Sequence, residues 1–168
     1  MATSEKQVER DRRSRAYKEL KKSLAGVGIY APTASTLFEV LGKARLSESY
    51  AASTELSRDD LFGHALQASV PEELSDKAIS GHLANAARLY ATAAAKCVLI
   101  PDPGRAFKYF RRASRLYRRA AQLQHPPDGE VMDASRRCKE KAALARGEVA
   151  RRRACRRRWG LGLLRRWR

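Results

Sequence analysis

Residues 105–124 have the sequence RAFKYFRRASRLYRRAAQLQ, and this stretch decides the fold class of the chain. Its apolar residues recur every three or four positions, which is the period of an amphipathic α-helix. The sequences PDPG, at residues 101–104, and HPPDG, at residues 125–129, break the helix on either side. The predicted buried face consists of Ala106, Phe107, Phe110, Ala113, Leu116, Tyr117 and Ala120.

A further helix is predicted beyond each of these breakers. From His82 onward the apolar residues again recur at three- and four-residue intervals, and they are Leu83, Ala86, Ala87, Tyr90, Ala94 and Cys97. Another helix is predicted from Glu130, and it meets no strong breaker before Gly160. Short connections between long helices favour antiparallel neighbours. Residues 82–150 are therefore predicted to form an antiparallel three-helix bundle in an all-α protein.

Smaller helices with weaker patterns precede this bundle. A charged helix is predicted over residues 3–24, and its apolar face consists of Tyr17, Leu20 and Leu24. The next helix is predicted to end near Leu46, and residues 47–54 fit either a loop or a helix. Short helices are then predicted to start at Ser57 and near Val70, the second running through or restarting at Gly81. The predicted apolar stripe of the helix that ends near Leu46 consists of Leu37, Phe38, Val40, Leu41 and Ala44.

Charge divides the chain more clearly than hydrophobicity does. The formal net charge is +17, with +4 in residues 1–24, −4 in residues 25–80 and +17 in residues 81–168. We therefore predict a charged N-terminal helix (1–24), a mildly acidic helical region (25–80), a basic three-helix bundle (81–150) and an Arg/Trp-rich tail (151–168). A charge density this high favours association with polyanions.

The cations of residues 105–124 are expected to form one stripe opposite the apolar face, because they are spaced by three and four positions. No Asp or Glu lies in this segment to compensate them. Arginine, the commonest of them, suits bidentate contacts with phosphate. The sequence therefore predicts a nucleic-acid surface, and a solvated helix face is the alternative. With the next helix included, the predicted contacts are Lys108, Arg111, Arg112, Arg115, Arg118, Arg119, Arg136, Arg137 and Lys141.

Two tyrosines of the same segment, Tyr109 and Tyr117, are candidates for stacking on bases, although their spacing favours packing in the core. No motif for sequence-specific recognition is present. Binding directed by shape and backbone, as to double-stranded RNA, therefore suits this helix better.

The last residues, 151–168, have the sequence RRRACRRRWGLGLLRRWR. A block of arginines predicts a nucleic-acid arm or a nuclear or nucleolar signal, and its members are Arg151, Arg152, Arg153, Arg156, Arg157 and Arg158. The apolar residues beside it favour docking on an anionic membrane surface or a partner, and they are Trp159, Leu161, Leu163, Leu164 and Trp167. A disordered tail that affects only solubility is the alternative interpretation.

The predicted bundle resembles an MIT (microtubule-interacting and trafficking) domain in three segments. They are Ala87-x-x-Tyr90-Ala91-x-x-Ala94-Ala95, Ala106-Phe107-x-Tyr109-Phe110-x-x-Ala113-x-x-Leu116-Tyr117, and Arg136-Arg137-Cys138-Lys139-Glu140 followed by Ala145. The resemblance implies a three-helix bundle that holds short helical peptides in trafficking complexes. It also implies acidic and apolar contacts on the third helix, where this chain carries several cations instead.

Catalytic and metal-binding patterns are absent from the sequence. The three histidines are scattered, and no nucleophile, P-loop or zinc-protease motif occurs. The cysteines Cys97, Cys138 and Cys155 are widely spaced, and the first two are expected to be small buried apolar residues. We therefore predict a protein that is not an enzyme and that needs no cofactor or metal.

The leading hypothesis is a non-enzymatic nucleic-acid-binding protein whose ligand is RNA. The alternative is an MIT-like trafficking adaptor that binds helical peptides and docks its tail on anionic membranes. A third possibility is a regulatory protein in which the acidic region 25–80 binds the basic tail of the same chain and masks its charge. No secretory signal or membrane-spanning segment is evident, so a cytoplasmic, nuclear or nucleolar location is expected. The oligomeric state is left open.

Overall fold

The computed structural model describes residues 2–26, 34–63, 72–100, 102–124 and 126–165. Over those residues the chain consists of helices with short connections and contains no strand, which confirms the predicted all-α class. The helices are α1 (Ala2–Gly26), α2 (Ala34–Gly63), α3 (Glu72–Leu99), α4 (Pro103–Gln122) and α5 (Gly129–Arg165).

The helix α4 buries the face that its sequence predicts, and it begins at Pro103, two residues before the predicted start at Arg105. The Asp102 carboxylate caps it by accepting a hydrogen bond from the backbone N–H of Arg105 at 3.0 Å, and Pro103 occupies the first turn, where no N–H is needed. Five of the predicted inner residues are buried, whereas Phe107 and Tyr117 are half-buried. The buried five are Ala106, Phe110, Ala113, Leu116 and Ala120.

Small residues let α4 approach both of its neighbours closely. The hydroxyl of Ser80 on α3 donates to the carbonyl of Ala120 at 2.8 Å. On the other side, Ser114 donates to the carbonyl of Ser135 at 2.9 Å, and Ser135 donates to the carbonyl of Ser114 at 2.8 Å. A side chain bonds the backbone of the next helix in each case, so the contact fixes the register of the two helices. Alanines surround these contacts and are fully buried: Ala86, Ala87, Ala106, Ala113, Ala120, Ala121 and Ala145.

The four later helices pack mainly on their neighbours in sequence: α2 on α3, α3 on α4, and α4 on α5. In a three-helix bundle each helix contacts both others, but α3 and α5 barely touch. The predicted bundle over residues 82–150 is therefore not confirmed. The helix α1 packs on α5 and more lightly on α3, and it does so through the predicted face, since Tyr17 and Leu24 are buried.

The helix α2 differs from its prediction in two respects. It is continuous over Ala34–Gly63, so it neither ends near Leu46 nor restarts at Ser57. The reason is that Ser47 is buried and donates to the carbonyl of His82 at 3.0 Å, so a polar contact replaces an apolar one at this point. Phe38 does not belong to the buried stripe, because it is 79% exposed.

The helix α5 extends past its predicted limit at Gly160 to Arg165, so residues 151–165 continue a helix. The predicted contacts of Arg156, Arg157, Arg158, Trp159, Leu161, Leu163, Leu164 and Trp167 lie outside the side chains that the structure describes. Within the described residues, none of the helices combines the length and the apolar character that crossing a membrane requires.

Candidate nucleic-acid interface

The predicted cations of α4 fall on two edges of its exposed face. We call Lys108, Arg111, Arg115 and Arg118 the outer edge, and Arg112 and Arg119 the α2 edge. The outer edge extends over eleven residues of helix, from Lys108 to Arg118, which is a distance of about 15 Å along the axis. All six side chains are exposed, but among the residues that the structure describes only those of the α2 edge form ion pairs with another helix.

Two glutamates of α2 neutralise the α2 edge. The guanidinium of Arg112 donates to both carboxylate oxygens of Glu48, at 2.8 and 2.7 Å. Arg119 forms the corresponding ion pair with Glu55. The two glutamates are seven residues apart, and so are the two arginines, so the pairs repeat after two turns of each helix.

The first of these pairs is joined to the core through Tyr90 of α3. The hydroxyl of Tyr90 donates to Glu48 at 3.2 Å, and the Arg112 guanidinium lies 5.1 Å from the centre of the Tyr90 ring. The hydrogen bond with Glu48 raises the pKa of Arg112, and burial raises the pKa of Tyr90. The arginine therefore stays charged and the tyrosine stays a neutral donor.

The outer edge has no such counter-charge. None of its four cations has an ion pair or hydrogen bond with a carboxylate among the residues that the structure describes. Like charges at three- and four-residue spacing repel each other by a few tenths of a kcal/mol per pair. An anion that binds here would relieve that repulsion.

A cleft of about 490 Å³ opens between the outer edge and α2. Its apolar lining includes Leu41 and three aromatic residues, Tyr90, Phe107 and Tyr109. Its cations include Arg45 of α2, which the sequence analysis did not single out because α2 is acidic overall. The aromatic residues and cations of this cleft therefore come from three helices. The remaining lining residues are Glu48, Lys108, Arg111, Arg112, Arg115 and Leu116.

The predicted cations of α5 do not join this surface. Tyr117 lies nine residues after Lys108, or about two and a half turns, so it points to the opposite side of α4. Burial raises the pKa of Tyr117, and the charges of Arg88 and Arg137 oppose that rise, so both cations lie near it. Lys141 lies 6.0 Å from the ring centre of Phe110, also on that side. Arg137 and Lys141 thus border a second surface, between α3 and α5.

Three further arginines predicted as contacts are paired within α5. Arg136 bonds Asp133 at 3.3 Å. Arg151 and Arg152 both bond Glu148, whose side chain is only 4% exposed, at 2.7 and 2.9 Å. The hydrogen bond from Arg151 lowers the pKa of Glu148 against the opposing effect of burial. Arg153 is exposed.

The cysteines resemble buried apolar residues more than reactive groups. Burial raises the pKa of Cys97 to about 11 and also raises that of Cys138, so both thiols stay protonated. Cys155 is exposed. In the described ranges, no cluster of histidine, cysteine and acidic residues is suited to holding a metal ion.

Comparison with known proteins adds no relative: no family model, no curated protein and no solved structure matches the chain. The resemblance to MIT domains therefore stays a prediction.

Proposed function

We propose that the protein binds nucleic acid, with RNA as its ligand, through the outer edge of α4. The observation that carries this proposal is that Lys108, Arg111, Arg115 and Arg118 follow each other over about 15 Å of helix without a carboxylate partner among the described residues. Phosphates repeat along a nucleic-acid strand at intervals of a few ångströms, so several of them reach such an edge at once.

The composition of the edge supports a phosphate ligand over a lone carboxylate. Three of its four members are arginines, whose planar guanidinium forms paired hydrogen bonds with phosphate oxygens and is weakly hydrated. In this proposal α3, α4 and α5 act as one antiparallel unit that presents the edge. The arginines that follow the Glu148 ion pairs, from Arg153 onward, form a basic tail that adds sequence-independent affinity.

The proposal is tested by measuring the affinity for a 20-base-pair RNA duplex by fluorescence anisotropy at several salt concentrations. The logarithm of the binding constant is expected to fall linearly with the logarithm of salt. Replacing all four outer-edge cations by Glu is expected to weaken binding about 100-fold and to reduce the slope by about 3, because roughly four phosphate contacts are lost.

A matched control separates this surface from net charge. Replacing the exposed cations Arg15, Lys18, Lys21 and Lys22 of α1 by Glu changes the net charge equally but leaves α4 intact. If the α1 variant loses as much affinity as the α4 variant, the edge is not the site. If neither variant binds RNA less well, the outer edge is not the site. If the unmodified protein binds no RNA but binds anionic vesicles through residues 151–168, the adaptor alternative gains support.

A further inference from the structure

The cleft beside the outer edge has features that a phosphate backbone alone does not need. An edge that contacts only phosphates requires exposed cations, yet this cleft also contains the half-buried rings of Phe107 and Tyr109 and the aliphatic side chain of Leu41. Aromatic rings beside arginines are the usual way in which proteins hold unpaired bases.

The inner part of the cleft is fixed before any ligand arrives. Tyr90 is 2% exposed, and its ring stacks on Tyr109 with centres 6.2 Å apart and planes inclined by 26°. Its hydroxyl bonds Glu48, which also holds Arg112. Because these contacts fix Tyr90 against Tyr109, little side-chain freedom is lost when a flat group enters.

The charges of the cleft favour an anionic ligand. Its lining contains four cations without a described carboxylate partner, whereas its carboxylate, Glu48, already bonds Arg112 and Tyr90. The free cations are Arg45, Lys108, Arg111 and Arg115. An uncharged planar molecule would leave them unused. A nucleotide supplies both a ring for the aromatic residues and a phosphate for these cations.

We propose that the cleft binds an unpaired base of a single-stranded nucleic acid, and that the phosphates on either side of that base contact the outer edge. This inference rests on the proposed function and makes it more specific. A duplex keeps its bases stacked and paired, so it reaches the outer edge but leaves the cleft empty. The aromatic part of the cleft should therefore affect single strands only.

The test compares three labelled or competing ligands: a 12-nucleotide oligouridylate, a 12-base-pair RNA duplex, and inorganic polyphosphate as a backbone without bases. The variant Tyr109→Leu removes the aromatic face but keeps an apolar side chain, and Tyr109→Phe is its conservative control. We expect Tyr109→Leu to weaken oligouridylate binding about 10-fold and to leave duplex and polyphosphate binding within about 2-fold. The variant Tyr109→Phe should bind all three as the unmodified protein does.

Tyr117 provides a matched position, because it is also half-buried on α4 but does not line the cleft. We expect Tyr117→Leu to cause no selective loss for the single strand. Circular dichroism and thermal melting identify a variant that does not fold. If a variant does not fold, the base site is tested by photo-crosslinking the unmodified protein to oligonucleotides that contain 5-iodouridine. We expect crosslinks within residues 107–109.

The outcomes for the two proposals are distinct. The base site is wrong, and the backbone site stands, if Tyr109→Leu weakens the binding of single strands and duplex equally or weakens the binding of neither. The same conclusion follows if all crosslinks lie outside residues 107–109. If the unmodified protein binds none of the three ligands, the proposed function is wrong and the base site with it.

Discussion

The two edges of α4 carry the same residue type in different surroundings. On the α2 edge, Arg112 and Arg119 are ion-paired with glutamates of another helix. On the outer edge, Arg111 and Arg118 lie one position earlier in the chain, also seven residues apart, and have no such partner among the described residues. One pair of arginines therefore joins two helices, and the other pair is available to a ligand.

This difference shows that a run of basic residues identifies a binding site only after the acidic residues that pair with its members have been located. The glutamates that neutralise the α2 edge precede their arginines by 64 residues. Two of the six cations in the apparent stripe are therefore structural. Charge pairs at exposed positions contribute little to stability individually, but these two connect α2 and α4, helices that both pack on α3.

The largest effect is expected from reversing the glutamates of the α2 edge. Glu48→Lys together with Glu55→Lys replaces two ion pairs by two like-charge pairs and removes the acceptor of the Tyr90 hydroxyl. We expect the free energy of unfolding to fall by about 3 kcal/mol, as measured by urea denaturation. Adding Arg112→Glu and Arg119→Glu should restore most of the loss. A failure to restore it would mean that these pairs do not join the helices.

The next effect separates the two edges directly. Arg111→Gln with Arg118→Gln should weaken duplex RNA binding about 20-fold at low salt without changing stability. The matched double variant, Arg112→Gln with Arg119→Gln, should lower the free energy of unfolding by about 1 kcal/mol and weaken binding less than about 3-fold. Equal losses of RNA affinity in the two variants would abolish the distinction between the edges.

A smaller effect tests whether paired arginines are structural in α5 as well. Glu148 has a lowered pKa, caused first by the hydrogen bond from Arg151, so its stabilising charge is present above the ordinary pKa of 4.5. That contribution is lost as the pH falls through the lower folded-state pKa. We expect Glu148→Gln to lower the free energy of unfolding by about 1 kcal/mol at pH 7 and by progressively less toward pH 3.

A matched glutamate serves as the control for that measurement. Glu39 also pairs within its own helix, with Lys43 at 2.6 Å, but both side chains are exposed. Glu39→Gln is expected to leave the urea midpoint unchanged at either pH. If both variants change the free energy of unfolding by the same amount, the burial of Glu148 does not make its ion pairs more stabilising than an exposed pair.

The smallest effect is expected from freeing the α2 edge without adding charge. Glu48→Gln with Glu55→Gln leaves Arg112 and Arg119 without their carboxylates, so both become available to phosphate. Duplex RNA affinity should rise about 3-fold at low salt, as measured by anisotropy. Unchanged or weaker affinity would show that the α2 edge lies out of reach of the ligand.

The sequence predicted the parts of this structure that depend on local periodicity. The inner faces of α3 and α4 follow a regular apolar spacing, so residues such as Tyr90 and Phe110 were placed correctly in the core. The break before α4 was also visible, because the sequence PDPG at residues 101–104 is a local signal, but the cap by Asp102 was not predicted. The proposed role of the outer edge in binding RNA is still a prediction.

The remaining features depend on contacts between distant segments. The continuity of α2 could not be recognised, because Ser47 faces α3 and bonds a backbone carbonyl instead of supplying an apolar side chain. The division of the stripe was hidden in the same way, although the shared seven-residue spacing of Glu48 and Glu55 with Arg112 and Arg119 was a signal. Arg45 reaches the cleft only because α2 packs on α3, which also packs on α4.

The fully buried alanines of α3, α4 and α5 bear on how this chain can evolve. At positions such as Ala86, Ala113 and Ala145 every substitution except glycine adds volume, and glycine weakens the helix. Surface arginines can be exchanged singly at little cost to folding. We therefore expect the positions of the buried alanines to be conserved more strongly than the positions of the surface charges in diverging relatives. A search that weights those positions should recognise remote members that a comparison of whole sequences misses.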